Sequence, residues 1–335
     1  MPTVADRIHT CLAGRLPEDR LPTIEWAMWW WDQTIARWHG EGLPKNLDSA
    51  GLKRFFGLDI DHQFWFGSGA NHVPQKQPGH GKPRIATMDE YRAAKPLLYG
   101  AKDPLDTVSL ARCAAERDRG DACLWLTLMG FFWWPRELLG IEPHLYAFVD
   151  QPELLHAVNQ DQADFILRRL DAYCAVAVPD FITIAEDMSY NNGPMISKAH
   201  FDDCIAPYYR QIIPAIHSRG IKVIIDSDGD VTRLLPWLES VGADGILPLE
   251  RQAGVDIDVL QKKHPNQRFI GAYDKMVMPR GETAMRDEFE RLLPVMRRGG
   301  FIPSVDHQTP PGVSLENYRI YLRLLKEYAV RACGG

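Results

Sequence analysis

The stretch Gly299-Gly300-Phe301-Ile302-Pro303-Ser304-Val305-Asp306-His307-Gln308-Thr309-Pro310-Pro311 decides how the chain is read. A short apolar run ends on an acid and a histidine, and two prolines then stop regular structure ahead of a helix predicted from Ser314. In a repeating β/α protein the strand ends are rigid and the loops after them shape a pocket, so reactive side chains gather there. Asp306 and His307 are therefore candidate catalytic residues.

Working outward, the same arrangement repeats upstream. Cys123 to Met129, Phe181 to Ile184, Ile221 to Ile225, Gly245 to Leu249 and Phe269 to Tyr273 read as buried strands. Most of them run into acids: Glu186-Asp187, Asp226-Ser227-Asp228, Glu250 and Asp274-Lys275. Helical segments at Asp150 to Tyr173, Pro207 to Arg219 and Val231 to Val241 have the length a crossover needs. This alternation implies parallel strands, and its repetition predicts an α/β fold, a (β/α)8 TIM barrel with an N-terminal helical and loop extension. One barrel domain is expected over residues 1–335, with an N-terminal part to 120 and regular β/α repeats over 121–330. The alternative is a doubly wound sheet, but no G-x-G-x-x-G follows a strand.

The N-terminal part is less regular. A helix is predicted from Val4 to Leu16, and Leu21 to Met28 is an extended apolar run carrying Glu25, the expected first barrel strand. Asp32 to Trp38, Met88 to Leu97 and Leu105 to Arg119 read as helices, and Leu52 to Phe66 is mixed and aromatic. Gly67 to Lys82 is rich in Gly, Pro and His, and a loop that long is expected to form a lid or pocket wall. Among the ten tryptophans, Trp26, Trp29, Trp30, Trp31 and Trp38 crowd one segment, and Trp125, Trp133 and Trp134 another. A single Trp is most often packing, but two clusters predict a pocket for something flat. Trp29 to Trp31 cannot all face one way on a regular element.

Composition excludes several classes. A net charge of −6 and a pI near 6.0 leave no positive field for nucleic acid. No apolar run approaches the roughly 20 residues of a membrane span, and Met1 to Gly14 lacks the pattern of a signal peptide, so a cytoplasmic location is expected. Six scattered cysteines without a C-x-x-C spacing read as thiols rather than a zinc ribbon or redox pair.

The strand-end acids would repel one another unless protons, Lys275, Arg136 or a cation compensated them, which is the chemistry of a site. For a single acid the plainer reading is helix capping, and Asp230 or Ser227 fits it.

Four segments carry a resemblance: Pro-Arg-Glu-Leu-Leu-Gly (135–140), Glu-Asp-Met-Ser-Tyr-Asn-Asn-Gly-Pro-Met-Ile-Ser (186–197), Gly-Ile-Lys-Val-Ile-Ile-Asp-Ser-Asp-Gly (220–229) and Gly-Gly-Phe-Ile-Pro-Ser-Val-Asp-His (299–307). Together they resemble the uroporphyrinogen decarboxylase superfamily over residues 120–328. That resemblance implies a (β/α)8 barrel with its pocket at the C-terminal strand ends. It also implies one of two chemistries: a decarboxylation needing no cofactor, or zinc-dependent methyl transfer to or from a corrinoid or a thiol coenzyme. The decarboxylase's Arg-Gln-Ala-Gly-Arg-Tyr segment has no counterpart, because the early region offers Glu25-Trp26-Ala27-Met28-Trp29 without a cation, so the haem-pathway enzyme itself is not expected. Where the thiol-coenzyme methyltransferases carry His-x-Cys and a later Cys, this chain has Asp226-Ser227-Asp228 and Asp306-His307. Asp226, Asp228 and His307 are the expected ligands of zinc or another divalent metal, and oxygen ligands suit an ether or hydroxyl oxygen better than a thiol.

The resulting expectation is a methyltransferase that demethylates a small, flat methoxylated or methylated compound, with a corrinoid on a partner protein as acceptor and a homodimer as the assembly kept open. Glu186, Asp187, Asp306 and His307 would handle protons. Glu25, Trp26, Trp29, Trp133, Arg136, Tyr190, Asn191, Glu250 and Lys275 would contact substrate. Two alternatives stand beside it: a cofactor-independent decarboxylase or lyase acting on a tetrapyrrole or other carboxylated compound, and a non-catalytic barrel that binds a tetrapyrrole or a corrinoid protein.

Overall fold

The computed structural model describes residues 1–27, 31–66, 69–100 and 105–334. Seven parallel strands form one curled sheet: β1 (Ile60–Phe66), β2 (Ala122–Met129), β3 (Phe181–Ala185), β6 (Lys222–Asp226), β7 (Gly245–Leu247), β8 (Arg268–Tyr273) and β9 (Phe301–Val305), neighbours in that order. A two-stranded antiparallel hairpin, β4 (Ser189–Tyr190) with β5 (Gly193–Pro194), stands on the loop after β3. Helices connect the later strands on the outside, so both faces of the sheet are covered. That is why β2, with seven of its eight residues buried, reads as a continuous apolar run rather than an alternating one.

Register sets up the site. Met129, Ala185 and Asp226 are cross-strand partners on β2, β3 and β6, and their side chains form one row on the inner face. One layer below, Trp125 donates from Nε1 to Thr183 Oγ1 (2.7 Å), Thr127 and Thr183 share a 2.8 Å hydrogen bond, and Gln63 Nε2 donates to Thr127 Oγ1 (2.9 Å). Side chains therefore fill the sheet interior below the row, and open space begins above it.

The sheet differs from the expected eight strands at one place. Leu21 to Ala27 is extended and largely buried but makes no ladder. It bridges the two edge strands instead. Thr23 carbonyl oxygen accepts from Asp59 N beside β1, and Trp26 Nε1 donates to the Val305 carbonyl at the end of β9. Arg20 clamps the start of this run through Asp59 (2.7 and 2.6 Å). Apolarity marked it for burial correctly, but isolated backbone bonds at Leu21 and Thr23 together with side-chain bonds hold it, not a ladder. The strand sequence reading missed is β1, whose Asp-His-Gln core hid the alternation. The helices Ser49–Phe56 and Lys198–Cys204 were also not singled out, although Asp48 and Ser197 cap them. No helix among the described residues is long and apolar enough to cross a membrane.

Candidate active site

Asp226 ends β6, and Asp228 follows it two residues on. Asp187 lies just past β3, where the backbone N–H groups of Glu186 and Asp187 both donate to the Asp226 carbonyl (2.9 and 3.3 Å). The chain turns there with Asp187 at φ 44°, and Leu249 (φ 69°) and Ala272 (φ 64°) share this left-handed conformation at the ends of β7 and β8. Non-glycine residues adopt it rarely, and all three sit on the same rim.

Above the floor row lies a cavity of about 240 Å³ lined by Trp26, Ala27, Trp65, Met129, Trp133, Ala185, Asp187, Asp226, Asp228, His307 and Gln308. Trp133 is covered by the Arg136 guanidinium, 4.7 Å from its ring centre, and Arg136 Nη1 is 3.9 Å from Asp187 Oδ2. Trp26 meets His307 edge-on with ring centres 6.2 Å apart. His307 Nε2 lies 3.3 Å from Asp228 Oδ2. Three walls are thus indole and one side is carboxylate. Of the other early tryptophans, Trp31 is exposed, Trp134 is buried with its Nε1 on Tyr99 Oη (2.7 Å), and Trp29 and Trp30 lie outside the described residues. Trp65 was not singled out in the sequence, because its place at the end of a strand depends on recognising β1.

Burial, and next the Asp228 charge, push the Asp187 carboxyl up to about 7, with Arg136 opposing. Asp226 is driven well above the usual carboxylate range by burial, Asp187 and Asp228. Burial pulls His307 down, but its hydrogen bond and charge contact with Asp228, and the charge of Glu250, outweigh that and raise it. Three carboxylates facing one volume cannot all be ionised without a compensating proton or cation. Two sets of donor atoms are close enough to hold a divalent ion, Asp187 with Asp226 and Asp228, and Asp228 with Glu250 and His307, each within 4.8 Å. The expected trio Asp226, Asp228 and His307 is therefore split between two sets that meet at Asp228.

Other expected site residues lie elsewhere, for identifiable reasons. Glu186 is fully buried and accepts from the backbone N–H groups of Phe131 (2.8 Å), Phe132 (2.7 Å) and Trp133 (3.1 Å) and from the Tyr209 hydroxyl. It anchors the turn that presents Trp133, and burial pushes its carboxyl up to about 7 against those four donors. A Cβ at Gly130 would sit 2.1 Å from the Glu186 carboxyl carbon, so only glycine fits there. Asp306 points inward and ties two loops together, accepting from Arg251 N (2.9 Å), Lys275 N (3.2 Å) and Lys275 Nζ (3.2 Å). Lys275 is spent on Asp306 and Gln252 (2.7 Å), and Glu250 accepts from Gly229 N (2.9 Å), so both stand beside the cavity without lining it. Glu25 is buried behind Trp26, accepting from Ser304 Oγ (2.7 Å) and Tyr318 Oη (3.1 Å). Tyr190 and Asn191 are exposed on the hairpin. The loop expected to wall the pocket packs instead on Arg136, where Gln75, His80, Gly81 and Lys82 line a small crevice. Asp230 accepts from Thr232 N (2.9 Å) within a turn, while the helix that follows, Leu235–Glu239, has no side-chain cap, so Asp230 does not take the helix-capping role expected of it.

A sequence model of the family described as Uroporphyrinogen decarboxylase (URO-D) matches residues 134–328, more than half of the chain. Among solved structures, a methyltransferase from Methanosarcina mazei superposes with a TM-score of 0.66 at 14% identity, over 98% of this chain and 99% of that one. A B12-independent methionine synthase from Shewanella sp. W3-18-1 gives a TM-score of 0.43 at 11% identity over 69% of this chain and 66% of that one. The YdhT protein from Bacillus subtilis gives 0.41 at 10% identity over 91% and 88%. No curated protein matches. At 14% identity the first likeness shows a shared fold, and the other two carry no argument.

Proposed function

The chain belongs to the uroporphyrinogen decarboxylase (URO-D) family, and from that premise we propose that it is a methyltransferase that removes a methyl group from a small, flat methoxylated compound. The observation that carries this reading is the cavity: about 240 Å³, three indole walls, and Asp187, Asp226 and Asp228 beside His307. Pockets for drug-sized ligands span about 300–1,000 Å³, so this one suits a single substituted ring and is too small for a tetrapyrrole. Its carboxylates also repel a polycarboxylate, and Arg136, the cation nearest them, already faces Asp187. Both points weigh against decarboxylation of a tetrapyrrole.

The metal fit can be judged from the donors. Asp228, Glu250 and His307 supply two oxygens and a nitrogen in reach of one ion, with no cysteine in either active-site set, so a hard or borderline divalent cation fits and a thiolate zinc site does not. Such an ion, when bound, supplies Lewis acidity toward the leaving oxygen. A corrinoid does not fit inside the cavity, so it would supply its nucleophile from a carrier protein at the mouth. The chain's own residues do the rest. Trp26, Trp65 and Trp133 hold the ring and keep water from it. Asp187 and Asp226 share a proton because their charges repel, and that proton passes to the leaving oxygen as the methyl carbon–oxygen bond breaks. Asp228 fixes the His307 ring.

The test is incubation of the protein with methoxylated benzoates and chemically reduced free cobalamin. Methylcobalamin and the matching phenol, formed together, are the expected products. Carbon dioxide release without methyl transfer would replace this reading with decarboxylation.

A further inference from the structure

A second group of donor atoms lies away from the cavity, where the helix Pro152–Cys174 packs on the helix Lys198–Cys204. His156 Nε2 is 3.6 Å from Asp203 Oδ1, and Cys204 Sγ is 3.7 Å from Asp203 Oδ2. One ligand atom from each of the three residues falls within 4.8 Å of the others.

The hydrogen bonds around His156 suit a tautomer with the ring proton on Nδ1. Tyr208 has one hydroxyl proton, donated to the His156 carbonyl oxygen (3.1 Å). In that tautomer its oxygen accepts from His156 Nδ1–H at 2.8 Å. A neutral His156 is left with a bare Nε2, and that lone pair faces the Asp203 carboxylate. Two acceptors turned toward each other are relieved by a cation between them. The spacing fits one: bonds of about 2.0–2.2 Å to nitrogen and oxygen and about 2.3 Å to sulfur, placed tetrahedrally, separate N from O by about 3.4 Å and O from S by about 3.6 Å. The observed separations of 3.6 and 3.7 Å run to different oxygens, Oδ1 and Oδ2, so the match holds for an ion that the Asp203 carboxylate reaches through both. Tyr208 plays the part of the outer partner that orients a metal-binding imidazole.

We propose that His156, Asp203 and Cys204 form a second metal site, distinct from the cavity, that takes zinc or another thiophilic divalent cation. The Cys204 thiol releases its proton to solvent when the metal–sulfur bond forms. Asp203 is exposed and His156 half-exposed, so the ion enters from solvent and keeps an open position there.

The site is tested by titrating the full-length, metal-stripped protein with Co(II). A thiolate-to-cobalt charge-transfer band should grow until this site is filled, zinc should abolish it, and Asp228→Asn should leave its final intensity intact because the cavity has no sulfur ligand. Cys204→Ser and His156→Gln should each lose the band, and Tyr208→Phe should weaken binding about 10- to 100-fold. His156→Gln leaves the buried thiol untouched, so it decides the matter even if Cys204→Ser folds poorly. Absence of the band in the unmodified protein, or its persistence in His156→Gln at unchanged affinity, overturns the proposal.

Discussion

His307 sits where three influences meet: the Trp26 ring edge, Asp228 at 3.3 Å, and the donor set it shares with Glu250. His307→Ala should cut methyl transfer by about 10²-fold or more while thermal unfolding stays close to that of the unmodified protein. Metal analysis of the same variant then separates two roles, because loss of one equivalent identifies a ligand and unchanged metal content identifies a group that positions Asp228. Glu25 offers a different test. Burial raises its carboxyl to about 7, so the protonated form is favoured by folding. A carboxyl raised on folding contributes stability that is complete below its unfolded value and is lost as pH rises through the folded one. Unfolding measurements should therefore show a loss of roughly 2 kcal/mol from this group between pH 5 and pH 8, absent in Glu25→Gln. An unchanged pH slope in the variant would show that Glu25 is ionised in the fold. Residue identity revealed that these acids matter but not which way they point. Glu186 and Asp306 look like pocket acids in the sequence, yet each side chain turns inward to accept backbone N–H groups.

The element that presents the aromatic wall is the turn Gly130 to Trp133, and it depends on Glu186. Three backbone donors and the Tyr209 hydroxyl converge on that carboxylate. Removing it leaves all four buried donors unsatisfied, so Glu186→Ala should destabilise the protein by about 3 kcal/mol or more. In a variant that still folds, KM should rise more than kcat falls, because Trp133 and Arg136 are displaced while Asp187 and Asp226 stay. A large loss of stability with kinetics unchanged would confine Glu186 to the core. At this scale the later strands were legible because most are a buried run followed by an acid and a helix. The first quarter was not. Leu21 to Met28 has a strand's apolarity but, over its described part, no ladder partner, and β1 has a ladder partner but not a strand's apolarity. Partnership across a sheet is a tertiary property that local pattern does not carry.

For the whole molecule, curling seven parallel strands brings residues as distant as Trp26, Asp187 and His307 onto one cavity. The placement of a pocket at the strand ends follows from the alternation of β and α, and so was readable from the chain. Its size was not, since that depends on how far the indoles of Trp26, Trp65 and Trp133 close over the floor. The central claim is that the cavity carboxylates deliver the proton for methyl transfer, and Asp226→Asn tests it most directly. With a methoxylated benzoate and reduced free cobalamin, the rate of methylcobalamin formation should fall about 10²- to 10⁴-fold, with substrate affinity, read from tryptophan fluorescence, little changed. A variant that transfers methyl groups at the full rate would contradict the account.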